Sequence, residues 1–391
     1  MFSPVRHKME ADSRPDYQII DNDRDLADFA KFLENERMVA VDLEADSMYH
    51  FREKVCLIQI TAARANIIVD PLEIEDLSPL EPLFSRHDIR KIFHGADYDV
   101  RSLHRDFGIE IHNLFDTQIA CRFLGFRETG LESVLYKYFN ITLDKKYQRK
   151  DWSKRPLPRD MLEYAAMDTV YLIPLAQALK KELEEKGRLV WVYEECEELS
   201  KARADVSDDE PLYLKFKGAG RLRPKTLAVL EALLQFRKAV AEKKDKPLFK
   251  IFGNDSLMQI AKTKPGSIRR LEKISTLSRK QLGMYGRELT EVVEKAMETP
   301  EKELPVYPRK KGPVLSPKVP ERVRAIKRWR DAKARKLEMD FGLVSNKSLI
   351  SEIAVRNPRV TAELETIRGM RAWQKEMFGK EIVAVLRHMN R

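Results

Sequence analysis

Residues 38–46 read Met-Val-Ala-Val-Asp-Leu-Glu-Ala-Asp, and the near-continuous apolar run Met38–Leu43 decides the fold. A run of that kind is expected of a strand buried on both faces, in a sheet covered by helices. Side chains at i and i+2 of a strand share a face, so Asp42 and Glu44 project together from its end. Two carboxylates about 4 Å apart repel by roughly 4 kcal/mol at an effective dielectric near 20. Such a pair takes up a proton or holds a cation. Asp-x-Glu alone is a weak signal, and the rest of the chain has to supply the context.

Outward from that strand, Val55–Thr61, Ala65–Val69 and Lys91–His94 are further expected strands, and Val100–Phe107 is an expected helix. Met161–Leu179 has helical spacing, with Leu162, Ala165, Ala166 and Val170 along one side, and Pro174 is expected to kink or break it. From Tyr17 onward the alternation of strand-like and helix-like segments is that of an α/β domain.

At 391 residues the chain suits two or three domains, and 43% hydrophobic content supports packed cores. No apolar run approaches the roughly 18–20 residues that span a bilayer. The first residues lack an apolar signal core and turn acidic by Glu10 and Asp12, so a cytoplasmic protein is expected. Cys56, Cys121 and Cys196 are far apart and form no Cys-x-x-Cys pair, which argues against a disulfide framework or a zinc site. Cys56, in an apolar run, is expected to be a small buried hydrophobe.

The net charge of +10 conceals a division: residues 1–200 sum to −10 and residues 201–391 to +20. An acidic half joined to a basic half suits a cation-binding unit tethered to something that holds a polyanion. Within the basic half a 93-residue offset recovers a repeat without a gap. Arg237 meets Arg330, Ala241 meets Ala334, Ile260-Ala261 meets Ile353-Ala354, Pro265 meets Pro358, Leu271-Glu272 meets Leu364-Glu365, and Gly286 meets Gly379. This is a duplicated, mostly helical module. Asp340 stands where the first copy has Pro247, which puts equal function of the copies in doubt. The acidic stretch Glu194–Glu198, then Ala202–Glu210, reads as a linker or peripheral helix. Six prolines between Pro300 and Pro320 mark a second linker.

Two more motifs carry candidate chemistry. His94-Gly-Ala-Asp97-Tyr-Asp99 falls where a short strand meets a helix, a place where α/β proteins put ligands. Either aspartate could be a ligand, or one could cap the helix. Tyr164 and Asp168, four apart on a helix and flanked by alanines, share one face of a closely packed surface.

Taken in order, the three motifs resemble the four-acid 3′–5′ exonuclease superfamily, in the subgroup with tyrosine in the last motif, and most closely ribonuclease D. The resemblance is specific in the Cys-Leu-Ile-Gln-Ile run that begins at Cys56. It is more so across Leu143–Asp168, which includes Lys-Tyr-Gln-Arg-Lys-Asp-Trp-Ser-Lys-Arg-Pro and Glu-Tyr-Ala-Ala-Met-Asp. The family's His-x4-Asp spacing selects Asp99 over Asp97. The repeats resemble paired HRDC domains, small helical bundles that bind nucleic acid or serve protein contacts.

The implied fold is an α/β ribonuclease H-like exonuclease domain, with a mixed central sheet flanked by helices, followed by two all-α HRDC bundles. The expected limits are a flexible tail 1–15, exonuclease domain 16–200, linker 201–220, first HRDC 221–299, Pro-rich linker 300–317 and second HRDC 318–391.

The resemblance implies that Asp42, Glu44, Asp99 and Asp168 hold two divalent ions, Mg2+ or Mn2+, and that Tyr164 orients the attacking water. It also implies release of nucleoside 5′-monophosphates from RNA, with tRNA precursors favoured. Basic residues Lys145, Lys146, Arg149, Lys150, Lys154, Arg155 and Arg159 stand out in an otherwise acidic domain, and part of that cluster is expected to guide phosphates. Candidate substrate contacts are Leu43, His94, Lys145, Arg149, Trp152 and Arg155. Trp152 is either a base-stacking platform or a structural residue beside Pro156. A monomer is expected. The alternatives are a DNA 3′–5′ exonuclease and a non-catalytic RNA-binding scaffold. All five functional side chains are present, which argues against decay.

Overall fold

A computed structural model describes residues 15–204, 210–308 and 316–389. Most of the expected N-terminal tail, residues 205–209 of the acidic linker, residues 309–315 of the Pro-rich linker and the last two residues lie outside the described part. The chain forms two compact units. One comprises residues 15–45, 55–204 and 316–389, and the other 46–54 and 210–308.

The first unit is built on a six-stranded mixed sheet. Its elements in chain order begin β1 (Gln18–Ile20), α1 (Asp23–Leu33), β2 (Met38–Ala45), β3 (Val55–Ala62), β4 (Ala65–Val69), α2 (Glu81–Ser85), β5 (Arg90–Phe93) and α3 (Asp97–Phe107). They continue with β6 (Leu114–Asp116), α4 (Thr117–Phe123), α5 (Leu131–Phe139), α6 (Arg159–Val170), α7 (Leu172–Glu185) and α8 (Leu189–Ser200). The strand order is β1-β4-β3-β2-β5-β6; β2–β3–β4 is an antiparallel meander, and β1, β5 and β6 pair parallel to their neighbours. Val39, Ala40 and Val41 are fully buried and every residue of β3 is buried, as the apolar runs require.

Two boundaries differ from expectation. Helix α3 starts at Asp97 rather than Val100, so Asp99 stands on its first turn. The long helical stretch is two helices, broken at Tyr171. Pro174 then falls in the first turn of α7, where its missing N–H costs nothing, whereas in one continuous helix its ring would meet the Val170 carbonyl. Of the linker and the helix expected for Glu194–Glu198, the helix is found, and the stretch lies wholly within α8. Cys56, Cys121 and Cys196 are all free and buried.

In the second unit lie α9 (Pro224–Lys243), α10 (Leu248–Ile251), α11 (Asn254–Thr263), α12 (Ile268–Lys273) and α13 (Arg279–Met297). They pack around Leu230, Leu233, Phe252, Ile260 and Leu289. Residues 46–54, the loop between β2 and β3, belong to this unit. The Asp245 carboxylate accepts from the Phe51 N–H at 3.0 Å and lies 2.5 Å from His50 Nδ1.

The second repeat supplies α14 (Val319–Leu337), α15 (Phe341–Val344), α16 (Lys347–Arg356) and α17 (Ala372–Met389), and it is part of the first unit. Its core is continuous with the sheet domain's core. Trp373 stacks on Trp191 of α8 (centroids 4.9 Å, 18°) and meets Phe123 edge-on. The buried Arg188 guanidinium donates to the carbonyls of Phe123 (2.7 Å) and Leu337 (2.5 Å), joining the two parts. Among the described residues no helix is long and apolar enough to cross a membrane.

Candidate active site

Strands β2 and β5 run parallel, so the end of β2 and the loop after β5 open on the same edge of the sheet. The pairing of β2 with β3 keeps register through Glu44 and shifts between Glu44 and Ala45, immediately after the two carboxylates have been aimed. Helix α6 lies across β2, β3 and β4. Two small residues on its inner face, Ala165 and Ala166, are fully buried and permit a close approach. A buried polar chain fixes that approach. Thr61 donates to Asn66 Oδ1 (2.9 Å), Thr169 of α6 donates to Thr61 (2.7 Å), and Asn66 donates to the Ala166 carbonyl (3.3 Å). The neighbouring turn of α6 thereby carries Tyr164 and Asp168 to the end of β2.

Three of the four expected carboxylates meet there: Asp42, Glu44 and Asp168 each offer one oxygen, all within 4.8 Å of one another. Asp99 lies outside that trio but close enough for its charge to act on Glu44 and to feel Asp42. It is buried, whereas Asp97 is exposed and forms an ion pair with Arg101 at 3.0 Å. The two aspartates therefore stand in different surroundings. Neither is the N-cap of α3, a position taken by Ala96, whose methyl side chain makes no capping bond.

Charge and burial set the chemistry of the trio. Burial raises the Asp42 carboxyl to about 7. Glu44 is raised well above its ordinary value by burial and then by Asp42, Asp168 and Asp99; Asp99 by burial and then Asp42; Asp168 by burial and then Asp42. Like charges 4.8 Å apart repel by about 3–4 kcal/mol at an effective dielectric near 20. The group therefore binds protons or a cation, and an all-carboxylate oxygen set suits hard divalent ions. Tyr164 is pushed upward by burial and by the neighbouring Asp168, Glu44 and Asp42, so at neutral pH it remains a hydroxyl.

The trio opens on a cavity of about 400 Å3, also lined by Leu43, His94, Gln118, Asp144, Lys145, Gln148 and Tyr164. Of the expected substrate contacts, Leu43, His94 and Lys145 reach it; Lys145 is paired with Glu132 at 2.5 Å, and His94 Nδ1 lies 2.9 Å from Thr117 Oγ1. Arg149 is exposed and does not line the cavity. Trp152 is 1% exposed and packs 6.1 Å from the Tyr164 ring, so it cannot stack on a base and instead backs the tyrosine. Arg155 grips Asp70 through Nε (2.5 Å) and Nη2 (2.6 Å) and donates to the Cys56 and Trp152 carbonyls, so its charge is spent inside the fold.

One residue that organises the site escaped the sequence reading. The buried Asp116 carboxylate accepts four backbone N–H groups: Gly95 (3.1 Å), Gln118 (2.7 Å) and Ile119 (3.0 Å) on Oδ1, and Ala96 (2.8 Å) on Oδ2. It caps α4 and clamps the loop that launches α3, whose Gly95 takes φ +81°. An aspartate directly before a helix, in Leu-Phe-Asp-Thr, was the available signal.

Fold and site together define a 3′–5′ exonuclease domain joined to paired helical modules. A 3′-5′ exonuclease family model matches residues 17–184, and an HRDC domain model matches residues 226–293 and 320–386. Ribonuclease D of Escherichia coli is 32% identical over 290 residues, 74% of this chain and 77% of that protein. Ribonuclease D of Granulibacter bethesdensis is 27% identical over 379 residues, 95% and 93% of the two chains. The crystal structure of the E. coli enzyme, described as an exoribonuclease involved in structured RNA processing, superposes with a TM-score of 0.73 at 27% identity, covering 95% of this chain and 99% of that one. The chain belongs to the ribonuclease D family. It is a 3′–5′ exoribonuclease, a hydrolase of phosphodiester bonds in RNA.

Proposed function

We propose that the enzyme trims 3′ extensions from structured RNAs, tRNA precursors foremost, in the cytoplasm and as a monomer, releasing nucleoside 5′-monophosphates. The observation that carries the reading is the convergence of Asp42, Glu44 and Asp168 within 4.8 Å beside an undissociated tyrosine. In this reading Asp42, Glu44, Asp99 and Asp168 hold two divalent ions, Mg2+ or Mn2+, which when bound supply an acidified water and charge stabilisation for the leaving 3′ oxygen. Tyr164 orients the attacking water through its hydroxyl and takes no proton from it, since burial and carboxylates oppose ionisation. Leu43 offers an apolar floor to the terminal nucleotide, and Lys145 stands at the rim to meet a phosphate. The working division is an exonuclease domain at 16–200 and HRDC domains at 221–299 and 318–391.

The test uses 3′-labelled tRNA precursor with Mg2+ or Mn2+, with and without chelator. Cleavage stops in chelator; undiminished cleavage there would remove the metal assignment. Glu44→Gln and Asp168→Asn each abolish turnover, and Tyr164→Phe lowers it about a hundredfold without loss of fold. A wild-type rate in any of these variants strips that residue of its role. Matched RNA and DNA strands, compared by rate, read the sugar preference that depends on the 2′-hydroxyl.

A further inference from the structure

A second cavity lies within the first unit, where the turn after α4 faces α14 and α15 of the second repeat, with a volume of about 1060 Å3. Its floor is a close backbone approach. Gly125 takes φ +87°, and a Cβ there would collide with the Glu338 carbonyl. Three exposed cations line it: Arg127 on the nuclease side, and Lys327 and Arg335 on α14. No carboxylate of the described residues pairs with any of the three within 4.0 Å. The acids of the same cavity are largely committed. Asp331 pairs with Arg330 at 2.6 Å, and Asp340 caps α15 through the Gly342 N–H at 2.6 Å and lies 3.5 Å from Arg122. Only Glu338 is left to offset three cations. Beside them Phe341 is 58% exposed, with the Arg330 guanidinium 4.7 Å over its ring.

The position of this cleft is informative. Gln118, in the first turn of α4, lines the acidic cavity, and Leu124 and Gly125, just past its end, line the cleft. Seven helical residues span about 10 Å. The returning chain repeats the relation, with Arg127 at the cleft and Gly130 at the acidic cavity.

We propose that this cleft holds the upstream nucleotides of the strand whose 3′ end enters the acidic cavity. The proposal rests on that cavity being the cleavage site. Unpaired cations draw the phosphates, and the exposed Phe341 ring with its stacked guanidinium gives a base a platform. The nuclease domain and its second repeat thus form one continuous track, and the enzyme favours substrates long enough to reach from one cavity to the other.

The full chain is tested as a triple variant, Arg127→Glu with Lys327→Glu and Arg335→Glu. Binding of a fluorescent RNA of about twenty nucleotides, measured in chelator across a salt series, weakens at least about tenfold. The slope of log affinity on log salt falls by about 2, at about 0.7 per lost phosphate contact on a single strand. The kcat/KM ratio of that RNA to one of about three nucleotides drops at least about tenfold. Unchanged binding and an unchanged salt slope overturn the proposal. Because binding is read without turnover, a wild-type protein that binds but does not cleave counts against the acidic cavity and leaves the cleft decided by affinity. If melting shows the triple variant misfolded, Phe341→Ala serves instead: about fivefold or greater loss of affinity supports the track, and wild-type affinity sinks it.

Discussion

The two repeats share a plan and differ in who completes it. In the first, buried Arg237 donates to the Phe252 carbonyl (3.1 Å) and Gln281 to the Ile251 carbonyl (2.7 Å). In the second, Arg330 donates to Ser345 (3.3 Å) and Gln374 to Leu343 (2.8 Å) and Val344 (3.4 Å), so the 93-residue offset is preserved in the hydrogen bonds themselves. The divergence comes one turn away. Helix α13 is capped from within by Ser278, in a reciprocal box with Gln281. At the matching position of α17 stands Arg371, which has no hydroxyl, and the Glu194 carboxylate of α8 accepts the Ala372 and Trp373 N–H groups instead (2.6 and 3.0 Å). Arg371 itself reaches Glu195 (3.2 Å) and Glu198 (3.1 Å). Even the Pro247-to-Asp340 change fits, since both residues begin the same short helix while Asp340 also faces Arg122 of α4. At the start of its last helix one copy supplies the capping hydroxyl itself, and the other takes a carboxylate from the nuclease domain.

The sharpest way to break this contrast is at the aromatic contact. Trp373→Ala should cost about 3–5 kcal/mol in denaturant unfolding, while Lys280→Ala, its counterpart in the first repeat, stays within about 0.5 kcal/mol. Equal costs would mean that the joint contributes nothing. Next come the shared arginines. Arg237→Ala and Arg330→Ala should each cost about 2 kcal/mol, because each strands a buried carbonyl, and a marked inequality would show that the cores have drifted apart. The smallest effect is at the caps. Glu194→Ala and Ser278→Ala should each cost about 1 kcal/mol, but calorimetry should place the first loss in the transition of the nuclease domain and the second in that of the first repeat. Both losses in one transition would erase the distinction.

Locality of the signal separates what the sequence disclosed from what it hid. Strand β2 and its paired carboxylates were readable because an apolar run and an i, i+2 spacing are local facts, and the duplication was readable because a constant offset needs no structure. Glu194–Glu198 read as a linker or peripheral helix, and its role as a docking edge stayed hidden because its partners, Arg371 and the start of α17, lie more than 170 residues away. Arg155 and Trp152 were attractive as RNA contacts for the same reason, since Asp70 and the Tyr164 ring that engage them are invisible to composition. Asp97 and Asp99 were separable by family spacing but not by physics until α3 was seen to bury one and expose the other. Asp116 went unnoticed because a lone acid in an apolar stretch gives no hint that four amides converge on it.

The borrowed cap has an evolutionary and practical corollary. A protease that severs the Pro-rich connector would not free the carboxy-terminal bundle cleanly, because Arg188 is embedded between Phe123 and Leu337 and two indole rings lie face to face across the seam. Descendants shortened at this end would have to repair the uncovered apolar face, replacing Trp191 and Phe123, before the remaining nuclease could stay in solution. Gene truncation from the C-terminus therefore meets a barrier that deletion of the first copy does not meet at that seam.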